Sequence, residues 1–378
     1  MDSSPISAGR LQHGAVRDGY DAVLFDVDGT LVSGHEPIGG APETVAALRG
    51  DGLRIRFVTN NASRSAGQVA DLLRRARFDA VPEEVGTSGR VAASLLAAQL
   101  PHGAPVLVVG ADALRQEVCD VGLHPVGTAA DGPVAVVQGF SAEVGWRELA
   151  EACIAIRGGA WWVACNGDVT VPSPRGLLPG NGALVAAVTA ATNVGPIIAG
   201  KPHPALLQHA AAGVGRDRSL VVGDRLDTDV VAARKGGFDA LLVLSGVTSA
   251  AQVLAAPPSA RPRYLADDVT ALKHPIGDLV IVGEQAPWQV TLRGATLHLR
   301  SPATAVGQSA AAALRALCAA WWPIGSGEPA VVADDARSRD VLERLGLARV
   351  PAAWVRAPVG ADAYRTVEVE LLVEVRKV

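Results

Sequence analysis

The sequence predicts an α/β protein: a parallel sheet with helices on its faces, a second α/β unit inserted into it, and a third at the C-terminal end. Three observations predict this. Short apolar runs such as Val23–Phe25 and Leu220–Val222 alternate with longer stretches of helical periodicity, the order that gives parallel strands covered by helices. The runs are continuously apolar instead of alternating, as in strands buried on both faces. Four apolar segments end abruptly in polar or charged residues, and open α/β sheets hold ligands beyond the C-terminal ends of their strands.

Taken in order, the first 17 residues read as a loose leader. Val23–Phe25 reads as a strand, the segment from Pro42 as a helix with proline near its start, and Leu53–Val58 as a second strand. Residues 66–76 and 89–99 read as helices. Pro105–Gly110, Val134–Gln138 and Trp161–Cys165 read as strands of a unit of their own. A helix at 181–192 follows, and Ile197–Ile198 and Ser219–Gly223 return to the short-strand pattern around a helix at 203–212. Ala240–Leu244 is one more strand. Pro257, Pro258, Pro262, Pro275 and Gly277 then mark a change of unit. Val290–Arg300 alternates but slips register near Gly294, as at a bulge or turn. Residues 308–320 read as a helix, and Val367, Val369, Leu371, Val373 and Val375 as alternate positions of a half-wet strand.

Composition narrows the class. A chain of 378 residues is too long for one ordinary core and suits two or three. With 49% hydrophobic and 19% charged residues it is globular, not disordered. The net charge is −4 and no Lys/Arg run stands out, so neither nucleic acid nor an anionic membrane is an expected partner. No apolar run reaches spanning length, and the N-terminus lacks the apolar core of a secretory signal. Cys119, Cys153, Cys165 and Cys318 show no CxxC spacing and no accompanying His cluster, which fits free thiols in a reducing compartment. A soluble, cytoplasmic protein is expected.

The chemistry sits at the strand ends. Asp26 and Asp28 follow Phe25 at positions i and i+2, so they project the same way from a strand. Two carboxylates that close repel unless a cation lies between them or one stays protonated. The pair suggests a hard divalent cation, a nucleophile and an acid/base in one place; an Asx turn closing a strand is the bland alternative. Thr59, Asn60 and Asn61 end the next strand and offer a hydroxyl, amides and backbone N–H groups suited to a phosphate. Lys201, one of four lysines, lies in Gly200-Lys201-Pro202 where a point charge can neutralise a phosphate and a carboxylate. Asp224, Asp227 and Asp229 cluster after Gly223, and three acids there need a cation or open solvent.

Each segment alone also reads as ordinary strand-end chemistry; in this order the four resemble the motifs of the haloacid-dehalogenase-like (HAD) superfamily of aspartate-nucleophile phosphohydrolases. Gly223–Asp229 with Leu242–Val247, and Cys165–Pro172 with Leu178–Ala183, resemble its subfamily IIA. The resemblance covers roughly residues 20–250. It implies a Rossmann-like core from residues 14–92 and 194–272 and a large α/β cap, 93–193, between the second and third motifs. It implies Asp26 as nucleophile, forming an aspartyl phosphate, and Asp28 as the acid and then base. Mg²⁺ would be held by Asp26, the backbone carbonyl of Asp28 and Asp224. Thr59, Asn60, Asn61 and Lys201 would bind the phosphate, with Asp229 acting through water or by orienting Lys201. An acid at Asp28 implies a phosphatase and not a dehalogenase.

A roofed site suits small phosphomonoesters. Specificity is expected from the loop 165–180, where Asn166, Asp168 and Arg175 are polar candidates and Asn166 and Asp168 read equally as turn residues. Residues 165–178 hold no aromatic, which favours a small polyol phosphate over a pyridine ring or nucleobase. The Arg/Ala-rich composition resembles high-GC actinobacteria, and in that setting the chain resembles subfamily-IIA glycerol-3-phosphate phosphatases with a C-terminal extension. The expected activity is Mg²⁺-dependent hydrolysis of glycerol 3-phosphate. Phosphoglycolate, pyridoxal phosphate or a nucleotide are alternative substrates, and a regulatory protein with a secondary phosphatase site is the alternative class. Family members often dimerise through the cap, which makes a homodimer an expectation.

Residues 278–378 lie outside the usual subfamily. Ala333–Gly346 resembles the late helix of GNAT acetyltransferases, and Gly307–Ala310 a worn form of their pyrophosphate loop. The glycine pattern of that loop is not met. The resemblance thus implies a degenerate GNAT-like unit with a structural, regulatory or oligomerising role; an unrelated packing module is the other reading.

Overall fold

The computed structural model describes residues 14–173, 175–281, 288–301 and 309–348. The strand expected over 367–375, and Gly307 and Gln308 of the worn loop, lie outside the described residues. The chain opens with β1 (Ala22–Asp26), a hairpin of β2 (Val32–Ser33) and β3 (Glu36–Pro37), β4 (Arg54–Thr59) and β5 (Val85–Thr87). Next come β6 (Pro105–Val109), β7 (His124–Val126), β8 (Ala135–Gln138), β9 (Trp161–Ala164), a second hairpin of β10 (Thr170–Ser173) and β11 (Gly176–Pro179), and β12 (Ile197–Ile198). β13 (Ser219–Gly223), β14 (Asp239–Val243) and β15 (Tyr264–Ala266) follow, and then β16 (Gln289–Arg293), β17 (Thr296–Arg300) and β18 (Ala330–Ala333).

The first sheet is parallel throughout, in the order β15-β14-β13-β1-β4-β5. Every residue of β1 is buried. Alternate side chains feed two cores: Leu24, Val58, Val221 and Leu242 on one face, and Val23, Phe25, Phe57, Leu220 and Val222 on the other. That double burial is why the strands read as unbroken apolar runs. β1 lies between β13 and β4, with Phe25 beside Val222 and Asp26 beside Val58. The chain leaves β1 toward β4 on one side and returns to β13 on the other. The ends of these three strands therefore flank a topological switch point, where such sheets bind ligands.

The inserted unit carries a parallel sheet in the order β12-β9-β8-β6-β7. Ile197–Ile198 was expected to return to the first sheet; it pairs with β9 instead, and Ala199 N and Gly200 N continue the pairing to Ala164 O and Cys165 O. Two apolar residues fit any open apolar edge, and β9 provides it. Lys201 is thus delivered from the edge of the inserted sheet.

The proline-rich stretch near 255–277 was expected to be a change of unit, yet Tyr264, Leu265 and Ala266 lie fully buried within it as the edge strand of the first sheet. Its prolines flank the strand without interrupting it. At Gly294 (φ +62°) the chain makes the turn of the β16–β17 hairpin, and β18 joins β17 in parallel to give a mixed sheet. The helix Ala310–Trp321 packs that unit onto the β15 edge: Arg315 Nη1 donates to Leu265 O at 2.6 Å and Ala311 N to Asp267 Oδ1 at 3.0 Å. Arg261 stacks over Trp322 at 5.2 Å and donates to Trp322 O and Gly325 O at 2.7 and 2.9 Å.

Candidate active site

Asp26 is the last residue of β1 and its side chain is 12% exposed. Lys201 Nζ meets Asp26 Oδ1 at 2.5 Å and Asp229 Oδ1 at 2.7 Å, with Val58 O at 3.5 Å. Asp229 Oδ2 accepts from Arg225 N at 3.1 Å, so both its oxygens are engaged. Asp224, directly after β13, is fully buried; its Oδ2 accepts from Val247 N at 2.7 Å, while its Oδ1 is buried with no hydrogen-bond partner. The carboxylates of Asp26, Asp224 and Asp229 lie within 4.8 Å of one another. Glycine makes room for them. A Cβ at Gly246 would stand 2.0 Å from Asp224 Oδ2, and one at Gly29, where φ is +87°, 2.6 Å from the same atom.

The cluster carries an excess of negative charge. Three carboxylates face one ammonium, leaving two negative charges that a divalent cation would balance. Burial raises the Asp26 pKa well above the carboxylate range; Lys201 opposes this, and Asp229 and Asp224 add to it. Burial and then Asp229 push Asp224 up to about 6. Burial works against the Lys201 charge, but Asp229 and Asp26 outweigh it and hold its pKa above the usual lysine value. Hard carboxylate oxygens, one of them orphaned in the interior, fit Mg²⁺.

Asp28 opens to solvent at the mouth, yet crowding by the surrounding protein raises its pKa, against the charges of Arg64, Lys201 and His35. Arg64 and His35 also line a cleft of about 680 Å³ with Ser63, Gln68 and Arg75. Asp227 turns away from the acids around it and pairs with Arg225 at 2.7 and 3.0 Å, which holds its pKa low.

The second strand end differs from its expected arrangement. The Asn60 side chain was expected to face a phosphate, but its amide is spent on the protein. Its Oδ1 accepts from Lys201 N at 2.8 Å, and its Nδ2 donates to Lys201 O at 2.9 Å and to Asp168 Oδ2 at 3.1 Å. Asn61 Oδ1 accepts from Ser63 N and Oγ at 2.8 and 2.7 Å. Thr59, buried at the end of β4, accepts from Asn61 N at 3.1 Å and keeps its hydroxyl proton to donate.

The inserted unit reaches this place through Asn166 and Asp168. Asn166 Nδ2 donates to Asn60 O at 2.7 Å, and Asn166 Oδ1 accepts from Asp168 N at 3.2 Å. Burial raises the Asp168 pKa, opposed by the Asn60 hydrogen bond and by Arg225. Sequence reasoning passed over Ser88, whose Oγ donates to Asn60 O at 2.6 Å, and Asn181, whose Nδ2 donates to Asn166 O at 2.7 Å. A signal existed for Asn181, which stands between two glycines at the start of a helix; Ser88 carried none.

Three separate stretches of the chain match known families. Residues 23–124 match the family described as haloacid dehalogenase-like hydrolase, 198–272 a HAD-hydrolase-like family, and 285–347 the GCN5-related N-acetyltransferase like domain. A D-glycerol 3-phosphate phosphatase of Mycobacterium tuberculosis is 44% identical over 87% of this chain and 95% of its own length. The 5'-nucleotidase YutF of Bacillus subtilis is 37% identical over 69% of this chain and 96% of its own. Among solved structures, a glycerol phosphate phosphatase from Mycobacterium tuberculosis in complex with magnesium aligns with a TM-score of 0.82 at 43% identity, covering 89% of this chain and 100% of that one. A 4-nitrophenylphosphatase from Thermotoga maritima aligns at 0.63 and 29% identity, over 68% and 97%. Identity of this extent, on a parallel sheet whose central strands lead into Asp26, Thr59 and Asp224 at their C-terminal ends, makes the chain a member of the haloacid dehalogenase-like hydrolases.

Proposed function

We propose that the protein is a Mg²⁺-dependent phosphomonoester hydrolase acting on glycerol 3-phosphate through an aspartyl-phosphate intermediate. The observation that carries this reading is the unbalanced cluster of Asp26, Asp224 and Asp229, with Lys201 pinned between two of them and an orphaned oxygen on Asp224. Asp26 is the nucleophile: an oxygen attacks phosphorus in line and the ester bond to the leaving oxygen breaks. Asp28 protonates that oxygen as it leaves, then takes a proton from the water that hydrolyses the intermediate. Burial raises its pKa from the ordinary carboxylate value, the direction that favours a proton donor. Lys201, Thr59 and the backbone N–H of Asn60 bind the transferring oxygens, and Asp229 fixes the Lys201 ammonium. Mg²⁺, held by Asp26, Asp224 and the Asp28 carbonyl, supplies neutralisation of the phosphoryl charge.

The substrate assignment leans on the relative named D-glycerol 3-phosphate phosphatase, which this chain matches along nearly its whole length. Loop residues 165–178 without an aromatic support a small polyol over a base. Phosphate release from glycerol 3-phosphate, phosphoglycolate, pyridoxal phosphate and nucleoside monophosphates, with Mg²⁺ and with EDTA, tests both claims. A preference for glycerol 3-phosphate that is lost in EDTA is expected; equal rates on all four would remove the substrate claim.

The exposed Val169, Leu177 and Leu178 around the β10–β11 hairpin support a homodimer through the inserted unit, which light scattering would test. Among the described residues no helix is long and apolar enough to cross a membrane. The net charge of −4 supports an enzyme without nucleic-acid partners, and four cysteines without CxxC spacing support a reducing, cytoplasmic setting. The C-terminal unit, clamped on β15 through Arg261 and Arg315, acts as a structural extension.

A further inference from the structure

We propose that Asn60 and Asp168 form a clasp that seats the inserted unit on the first sheet, and that Asn60 passes this seating to Lys201 as a positioning residue. The inference rests on the reading of Asp26 and Lys201 as parts of the reacting centre. Asn60 is bound from both sides. Its side chain grips the Lys201 backbone at N and O, at 2.8 and 2.9 Å. The same Nδ2 meets Asp168 Oδ2 at 3.1 Å, and its carbonyl accepts from Asn166 Nδ2 at 2.7 Å. No amide atom is left for a ligand, so the group acts through its neighbours.

Neither side of the clasp can give. On the inserted unit, Asn181 Nδ2 holds Asn166 O at 2.7 Å and Gly182 N holds Asp168 O at 2.8 Å. A Cβ at Gly182 would stand 2.2 Å from Gly167 O, and one at Gly180 2.4 Å from Asp168 O, so the helix Asn181–Thr192 abuts the loop backbone directly. On the first sheet, Ser88 Oγ donates to Asn60 O at 2.6 Å; where the two units meet, a Cβ at Gly200 would stand 2.6 Å from both Asn60 Oδ1 and Cys165 O. A shift of the 166–168 loop must therefore move Asn60, and with it the backbone from which the Lys201 ammonium reaches Asp26. Misplacement of about 1 Å at a reacting centre costs on the order of 100-fold in rate. The clasp makes catalysis conditional on a closed roof.

The test uses the full chain with Asp168→Ala, Asp168→Asn and Asn166→Ala. kcat and KM are measured with Mg²⁺, and amide hydrogen exchange is followed in peptides spanning 166–173 and 199–203. Asp168→Ala is expected to lower kcat by about tenfold or more with KM within about threefold, and to speed exchange in both segments together. Asp168→Asn, which keeps an oxygen to accept from Asn60, should return kcat to within about threefold of the parent. Asn166→Ala should repeat the coupled exchange if Asp168→Ala does not fold. Faster exchange at 166–173 with none at 199–203, or an unchanged kcat in Asp168→Ala, overturns the proposal. The exchange readout needs no substrate, so failure of the assigned activity and failure of the clasp are told apart.

Discussion

Lys201 Nζ lies 2.5 Å from Asp26 Oδ1, although the two residues are 175 positions apart and arrive from different sheets. Asp26 comes from the centre of one parallel sheet and Lys201 from just beyond the edge of another. The ammonium, 2% exposed, is shared with Asp229, so no single pair describes its energetics. Replacing it with methionine should leave two buried carboxylates facing each other without their counter-ion. Loss of one partner of a buried pair costs about 3–5 kcal/mol. We expect Lys201→Met to lower stability by that order in urea unfolding and to lower kcat by about 100-fold or more.

Asp26→Asn separates catalysis from stability. Turnover should fall by about 10⁴-fold or more, as for removal of other catalytic nucleophiles. The metal-free protein should lose less than about 1 kcal/mol, because a neutral amide relieves the excess of buried negative charge. Phosphate release and metal-free thermal melting check the two halves; a variant with full activity would refute the assigned nucleophile.

Mg²⁺ should raise the melting temperature of the parent protein, with a gain of about 2.7 kcal/mol at 100 times its Kd. Gly246→Ala should abolish that gain. Its Cβ would stand 2.0 Å from Asp224 Oδ2 and must displace the carboxylate. Calorimetric melts with and without Mg²⁺ decide this: an undiminished gain in Gly246→Ala would remove Asp224 from the ligand set.

Arg261→Ala tests the C-terminal unit. It deletes a guanidinium stacked on Trp322 and its hydrogen bonds to Trp322 O, Gly325 O and Ala256 O. The seam should weaken by about 2–3 kcal/mol, with an earlier unfolding step in tryptophan fluorescence and kcat within about twofold of the parent. A large fall in kcat would tie this unit to the chemistry.

Asp335 caps the helix Ala336–Arg344, accepting from Ser338 N and Ser301 N at 2.8 Å each and from Ser301 Oγ at 3.1 Å. Burial alone would raise its pKa; these hydrogen bonds outweigh burial and hold it below the usual value. A depressed folded pKa means stability that is present above the unfolded carboxylate value and is lost as pH falls through the folded one. Asp335→Ala should cost about 1 kcal/mol at pH 7, and the difference from the parent should shrink in acid unfolding below about pH 4.

The sequence by itself determined the parallel α/β plan and singled out the residues that gather at Asp26: Asp224, Asp229 and Lys201. Strands buried on both faces must be continuously apolar, so β1, β4, β8 and β13 stood out, and carboxylates directly after such runs had to face a crevice. Short strands were not legible: β5 and β7 have three residues each and pair with strands about 20–30 positions earlier, and the local β2–β3 and β10–β11 hairpins lack an apolar run that would mark them. Tertiary structure alone decided that Ile197–Ile198 would join β9, since two apolar residues carry no address of their own. It also decided what Asn60 does. An amide at a strand end suits a phosphate or a backbone equally well. The arrival of Lys201 and Asp168 from the inserted unit committed both ends of that amide to the protein.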